Sequence, residues 1–187
     1  MTTVALLLAA GFGRRFGADK RQARLVDGRG LLAASLANAR AAFDQVVVVL
    51  RPEDDPAALG VPVDIPLVRC ADAASGLGHS LAAGVVALHG GSATSAAILL
   101  GDMPWIDPRT LHLLAAQADE ARIVFPLHDG QRGHPVIFGR AFWPELLGLR
   151  GDEGARAVLQ AHRDAWLAVD VADAGVLRDV DTPAALG

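Results

Sequence analysis

Three short segments carry no polar residue at all: Val4–Ala9 (VALLLA), Val46–Leu50 (VVVVL) and the AAILL run that opens Ala96–Asp102. A strand with one solvated face alternates apolar and polar residues. One without alternation is buried on both faces, and that happens where helices cover both sides of a parallel sheet. Each run stops at a breaker: Gly11, Pro52 and Gly101 respectively. Stretches at helical spacing follow them, over Leu31–Phe43, Leu77–Leu88 and Asp107–Ala118. In the last of these Asp107 can cap and Pro108 takes the first helical position. Parallel strands need such crossovers. Weaker strands are expected at Pro66–Cys70, Arg122–Leu127, His134–Phe138 and Ala165–Val169, with helical stretches at Arg140–Leu147 and Glu153–His162. Strands and helices alternate throughout, which predicts an α/β chain: a three-layer α/β/α sandwich on a mostly parallel sheet. At 187 residues the chain suits one domain over 1–187, with the Pro/Asp-rich stretch 51–66 as a loop and not a linker.

Composition narrows the function. The chain is 52% hydrophobic and 20% charged, as expected of a globular protein, and its formal net charge is −4. An acidic chain is a poor general binder of nucleic acid, so any anion site must be a local cluster. The single cysteine, Cys70, gives neither a disulfide nor a zinc set, which suits a reducing cytoplasm. The N-terminus lacks a signal-peptide pattern, and no run approaches the ~18 to 20 apolar residues of a membrane span. A cytoplasmic protein without nucleic-acid or membrane partners is expected.

One cluster does run against the overall charge. LLLAAGFGRRFGADKRQ (Leu6–Gln22) leaves the first strand through Gly11, Gly13 and Gly17 and brings Arg14, Arg15, Lys20 and Arg21 together. Ligands of open α/β sheets bind at the carboxyl ends of strands. Glycines there let backbone N–H groups approach a phosphate chain, and cations neutralise it. The spacing is neither the dinucleotide fingerprint nor a P-loop. A flexible basic surface is the competing reading, and Arg14 and Arg21 are expected to be solvated surface charges. Asp102 ends a buried strand, where a carboxylate must cap, pair or bind metal. Asp179 and Asp181, in DVDTP, suit either a turn or a metal site. In SGLGHSLAAG, Ser75 or His79 is expected to cap a helix whose first turn holds Ser80. His134 precedes a proline at the start of a strand, and the remaining histidines lack zinc spacing. The three tryptophans are expected in the core or at its rim.

LLLAAGFGRRFGADK resembles the signature of nucleotidyltransferases, Leu-Ala-Ala-Gly, a spacer, Arg-Met-Gly and a Lys. It matches at Leu8, Ala9, Ala10, Gly11, Arg15, Gly17 and Lys20, with Phe16 in the methionine place. GLGHSLAAGV (Gly76–Val85), LLGDMPWI (Leu99–Ile106), GHPVIF (Gly133–Phe138) with GDEGARAVL (Gly151–Leu159), and DVDTPAAL (Asp179–Leu186) extend the likeness along the whole chain. It is most similar to the MobA-like group, in particular the molybdenum cofactor cytidylyltransferases. The resemblance implies a Rossmann-like sheet of the nucleotide-diphospho-sugar transferase type. It implies transfer of a nucleoside monophosphate to a phosphate-bearing acceptor, with Arg15, Lys20 and Asp102 catalytic. Leu8, Ala9, Ala10, Gly11, Gly13, Gly76 and Ser80 would contact the nucleotide and His134 the acceptor. Mg²⁺ would be held by Asp102 with Asp181 or Asp179. The LAAG form points to CTP as donor, with molybdopterin-bound molybdenum as acceptor and a molybdoenzyme as partner. Gly13 replaces a frequent Ser or Thr, and KRQARLVDGRGLL carries more cations than usual, so other acceptors stay open. Sugar or alcohol phosphates, and a cofactor carrier without turnover, are the rival readings.

Overall fold

The computed structural model describes residues 2–13, 16 and 19–186. Arg14, Arg15 and Gly17 of the glycine-rich loop therefore lie outside the described residues. The strands are β1 (Thr3–Leu8), β2 (Gln45–Leu50), β3 (Leu67–Arg69), β4 (Ser95–Leu100), β5 (Ile123–His128), β6 (Gln131–Arg132), β7 (Val136–Gly139) and β8 (Trp166–Asp170). The helices are α1 (Leu31–Ala42), α2 (Leu77–Leu88), α3 (Pro108–Ala116), α4 (Trp143–Leu147) and α5 (Arg156–Ala161).

One sheet runs β3-β2-β1-β4-β7-β5, with β6 and β8 also pairing with β5. The pairs β1·β2, β1·β4, β2·β3 and β5·β8 are parallel. Successive side chains of a strand point to opposite faces, and β1 feeds two cores accordingly. Val4, Leu6 and Leu8 pack with Leu81 and Val85 of α2, Trp143 and Leu146 of α4, and Leu159 of α5. Ala5 and Leu7 pack with Leu32 and Leu36 of α1 and Leu111 and Leu114 of α3. The three layers expected from the unalternating strands are present. Asp107 caps α3, accepting from the Arg109 N–H at 2.8 Å.

The sheet is less uniformly parallel than the strand–helix rhythm suggests. HPVIF forms β7, which lies antiparallel between β4 and β5. It gets there because β5 turns back at once. Asp129 and Gly130 have φ of 49° and 74°, and His128 pairs with Gln131 across them. Positive φ at both central residues is the two-residue hairpin geometry that Asp-Gly favours.

Chain direction decides where a ligand can sit. From β1 the chain passes through α1 to β2 and then β3 on one side, whereas β4 lies on the other side of β1. The carboxyl ends of β1 and β4 therefore flank a topological switch point, where open α/β sheets leave a crevice. Leu8 and Leu100, the last residues of the two strands, lie opposite each other there.

Candidate active site

A cavity of about 400 Å³ opens at this switch point. Leu8, Ala9, Ala10, Gly11, Gly13, Lys20, Gly76, Ser80 and Asp102, all expected site residues, line it. Leu8 and Asp102 reach it for the same reason, as each stands at the carboxyl end of a buried strand. Arg15 lies outside the described residues.

Lys20 sits in a short turn of helix whose N-cap is Asp19. Its ammonium donates to Asp102 Oδ2 at 2.6 Å, to the Val180 carbonyl at 3.0 Å and to Asp181 Oδ1 at 3.5 Å. Burial alone would push the Lys20 ammonium down, but Asp102 and Asp181 outweigh it and hold the group above the ordinary lysine range. Val180 is fully buried, and its N–H donates to the Asp102 carbonyl at 3.0 Å, which draws both flanking aspartates to the site. One oxygen from each of Asp102, Asp179 and Asp181 lies within 4.8 Å of the others. Opposite ligands of a six-coordinate Mg²⁺ stand about 4.2 Å apart, so a small contraction would let these oxygens hold a divalent cation. Among the described residues Asp102 Oδ1, itself buried, has no hydrogen-bond partner. A buried lone carboxylate oxygen is costly unless something cationic binds it. The donor set fits a divalent metal.

His134 is separate from this cluster. It lines an adjoining cavity of about 290 Å³ that shares Leu8, Leu77 and Leu100 with the first. The second cavity has an apolar lining, including Leu81 and Phe138, and charged lining residues Arg132, Glu153 and Arg156. Burial lowers the His134 imidazole below the ordinary histidine range; Asp102 and Asp179 oppose this, and Arg132 adds to it. Its Nδ1 is buried, without a hydrogen-bond partner among the described residues.

Two expectations need correction. Neither Ser75 nor His79 caps α2; the N-cap is Gly76, without a side-chain bond, and His79 Nδ1 instead accepts from the Gly151 N–H at 3.3 Å. Gly76 has φ of +120°, and a Cβ there would lie 2.4 Å from the Gly151 backbone, so close packing on that loop already demands glycine. Arg21 is not a solvated surface charge but 5% exposed, held between Asp19 and Asp54. Asp54 and Arg51, its neighbours in this network, went unnoticed in the sequence because they lie in the 51–66 loop. Only the placement of that loop beside β1 brings them in.

The match to known families is decisive at the level of family and fold. The model of the MobA-like NTP transferase domain matches residues 5–166. The chain belongs to the MobA-like NTP transferases. The match stops before Asp179 and Asp181. "Purine catabolism protein PucB" of Bacillus subtilis (strain 168) is 34% identical over 190 residues, spanning 96% of this chain and 92% of that protein. The crystal structure of Rv0371c from Mycobacterium tuberculosis H37Rv is similar with a TM-score of 0.80 and 28% identity, over 99% of this chain and 95% of that one. A second Rv0371c structure, at a TM-score of 0.74 and 28% identity over 91% and 90% of the two chains, is a complex with manganese. A nucleotidyl transferase from Methanothermobacter thermautotroptrophicus shares the fold at a TM-score of 0.81 and 21% identity, covering 98% and 94%. Membership of this family supports an enzyme of the nucleotidyltransferase class, and the acidic triad is consistent with a divalent metal. Among the described residues no helix is long and apolar enough to cross a membrane.

Proposed function

We propose that this protein is a cytoplasmic, single-domain nucleotidyltransferase that moves CMP from CTP to the phosphate of a molybdenum cofactor and releases pyrophosphate. An acceptor phosphate oxygen attacks the α-phosphorus, the bond to the bridging oxygen breaks, and pyrophosphate leaves with that electron pair. Such a reaction asks for positioning and for stabilisation of developing charge more than for a covalent nucleophile. The observation that carries the reading is the junction of one ammonium with three carboxylates at the mouth of the glycine-rich loop. Asp102, Asp179 and Asp181 would hold Mg²⁺, which when bound neutralises triphosphate charge. Lys20 would hold a phosphate oxygen, and Arg15 would join it as the resemblance implies. Gly11 and Gly13 would let the backbone approach the phosphates, while Leu8, Ala9, Ala10, Gly76 and Ser80 would bound the nucleoside.

The acceptor belongs in the second cavity. Its apolar lining suits a flat or aliphatic body, and the arginines that line it suit an anion. His134 would meet the acceptor there. The relative named for purine catabolism supports a molybdoenzyme of purine breakdown as the recipient of the product. The test is pyrophosphate release with CTP, Mg²⁺ and the pterin cofactor, alongside binding of CTP, GTP, ATP and UTP. Turnover with a sugar or alcohol phosphate, and not with the pterin, would replace the acceptor. Binding of the cofactor without pyrophosphate release would make the protein a carrier.

A further inference from the structure

Arg21 lines the nucleotide cavity, yet its charge is already spent. A guanidinium has five N–H donors, and all five are engaged. Nε donates to Asp19 Oδ1 at 2.8 Å and Nη2 to Asp19 Oδ2 at 2.6 Å. Nη2 and Nη1 donate to the two Asp54 oxygens at 2.7 and 2.5 Å, and Nη1 donates to the Ala9 carbonyl at 2.8 Å. Asp54 Oδ2 also accepts from the Arg51 N–H at 2.8 Å, tying the second arginine to the first. Arg51 Nε then donates to the Ala10 carbonyl at 3.1 Å, and its Nη2 donates to the Gly11 carbonyl. Its guanidinium lies 3.9 Å from the centroid of the Phe12 ring. Three consecutive loop carbonyls are thus gripped by two guanidiniums, and Asp54 ties the first guanidinium to the backbone of the second arginine.

In a trans peptide the C=O of one residue and the N–H of the next point in opposite directions. Holding the carbonyls of Ala9, Ala10 and Gly11 on the arginine side turns the N–H groups of Ala10, Gly11 and Phe12 away from it. Among the described residues none of these three N–H groups donates to a protein acceptor, and all three residues line the cavity. Successive N–H groups presented on one side form a concavity for an anion. We infer that Arg21 and Arg51 are positioning residues that turn the loop amides toward the triphosphate without touching it. This rests on the nucleotide reading above, and it assigns the two arginines a task distinct from the charge neutralisation left to Lys20.

Arg51 is the residue to test, because Arg21 is buried deeply enough that its loss endangers the fold. Wild type, Arg51→Ala and Arg51→Lys are titrated with CTP, inorganic tripolyphosphate and cytidine, with melting temperature measured in parallel. Arg51→Ala should weaken CTP and tripolyphosphate by tenfold or more and leave cytidine binding unchanged. The melting temperature should barely move. Arg51→Lys keeps the charge but not the fork that spans two carbonyls, so its loss should be close to that of alanine. Full binding of tripolyphosphate by the lysine variant, or an equal loss for cytidine and CTP, would overturn the positioning role. A wild-type protein that binds neither CTP nor tripolyphosphate would overturn the nucleotide reading itself, and the anion role of the amides with it.

Discussion

Lys20 and Asp102 are 82 residues apart in the chain and 2.6 Å apart in space. The contact joins the turn after β1 to the end of β4, and the Val180 carbonyl closes it from the C-terminal segment. One oxygen from each of Asp102, Asp179 and Asp181 lies within 4.8 Å of the others beside this ammonium. Asp102→Asn keeps the shape and removes the charge. It should abolish Mn²⁺ binding in the presence of CTP, read by paramagnetic relaxation, and reduce pyrophosphate release to background, with an unchanged far-ultraviolet circular dichroism spectrum. Near-normal release would remove Asp102 from the metal site.

Neighbouring cations in the sequence have opposite fates, and their variants should separate cleanly. Lys20→Ala should raise the barrier to turnover by ~2 to 4 kcal/mol, the scale of one charged stabiliser of a transition state. Arg21→Ala leaves Asp19 and Asp54 facing each other without their shared partner. Breaking a buried ion pair on one side costs ~3 to 5 kcal/mol of stability, so this variant should fail first in urea unfolding. If Arg21→Ala unfolds at the wild-type urea midpoint, the buried network does not hold the loop.

His134 makes stability depend on pH. Its native pKa lies below the unfolded value of 6.5, chiefly through burial. Below pH ~6.5 the unfolded chain therefore binds more protons than the native one, and unfolding becomes easier as pH falls toward the native pKa. Asp19 and Asp54 are depressed below 3.8 by Arg21, against the opposing effect of burial, so their contribution is lost only in stronger acid. The urea midpoint should drop between pH 7 and pH 5, and His134→Asn should flatten that slope. An identical slope in the variant would show that another group governs it.

Gly76 is fixed by its surroundings. A methyl group there would strike the Gly151 backbone at 2.4 Å, at a φ that disfavours any side chain. Gly76→Ala should cost ~2 kcal/mol or more of stability. It should also weaken CTP binding, since Asp152 beside that loop lines the same cavity. A variant as stable as wild type would mean the 150–152 loop yields easily.

The parts of this fold that the sequence exposes are those decided by burial alone. β1, β2 and β4 are apolar on both faces, and that fixes them in a covered sheet whatever else the chain does. The direction of β7 is not legible in HPVIF, because a buried antiparallel strand between two others has the same composition as a parallel one. Its direction follows from the Asp129–Gly130 turn, whose two positive φ values return the chain at once. Asp102 could be picked out because it ends an unalternating strand, and Lys20 because its loop resembles the nucleotidyltransferase signature. Arg21 could not, since residue type favours exposure and its partner Asp54 is 33 positions away.

Base choice is the finest question the cavity poses. A side chain at position 10 could leave room for cytosine while crowding guanine, and Ala10 does line the cavity. Yet Ala10 is only 1% exposed and clusters with Val49, Cys70, Ala73 and Leu81. Its methyl group serves the core under the cavity, so it is the backbone at this position that faces the ligand. Ala10→Gly should then cost ~1 to 2 kcal/mol of stability, from a lost buried methyl and a looser unfolded chain, and leave the ratio of CTP to GTP affinity unchanged. Discrimination falls to the opposite wall, where Ser80 offers a hydroxyl that can pair with a base edge. CTP should bind at least tenfold more tightly than GTP, about 1.4 kcal/mol, and Ser80→Ala should narrow that gap. Equal affinities in the wild-type protein would replace cytidylyl transfer with another nucleotidyl transfer, and an Ala10→Gly variant with a changed ratio would return the selection to the loop.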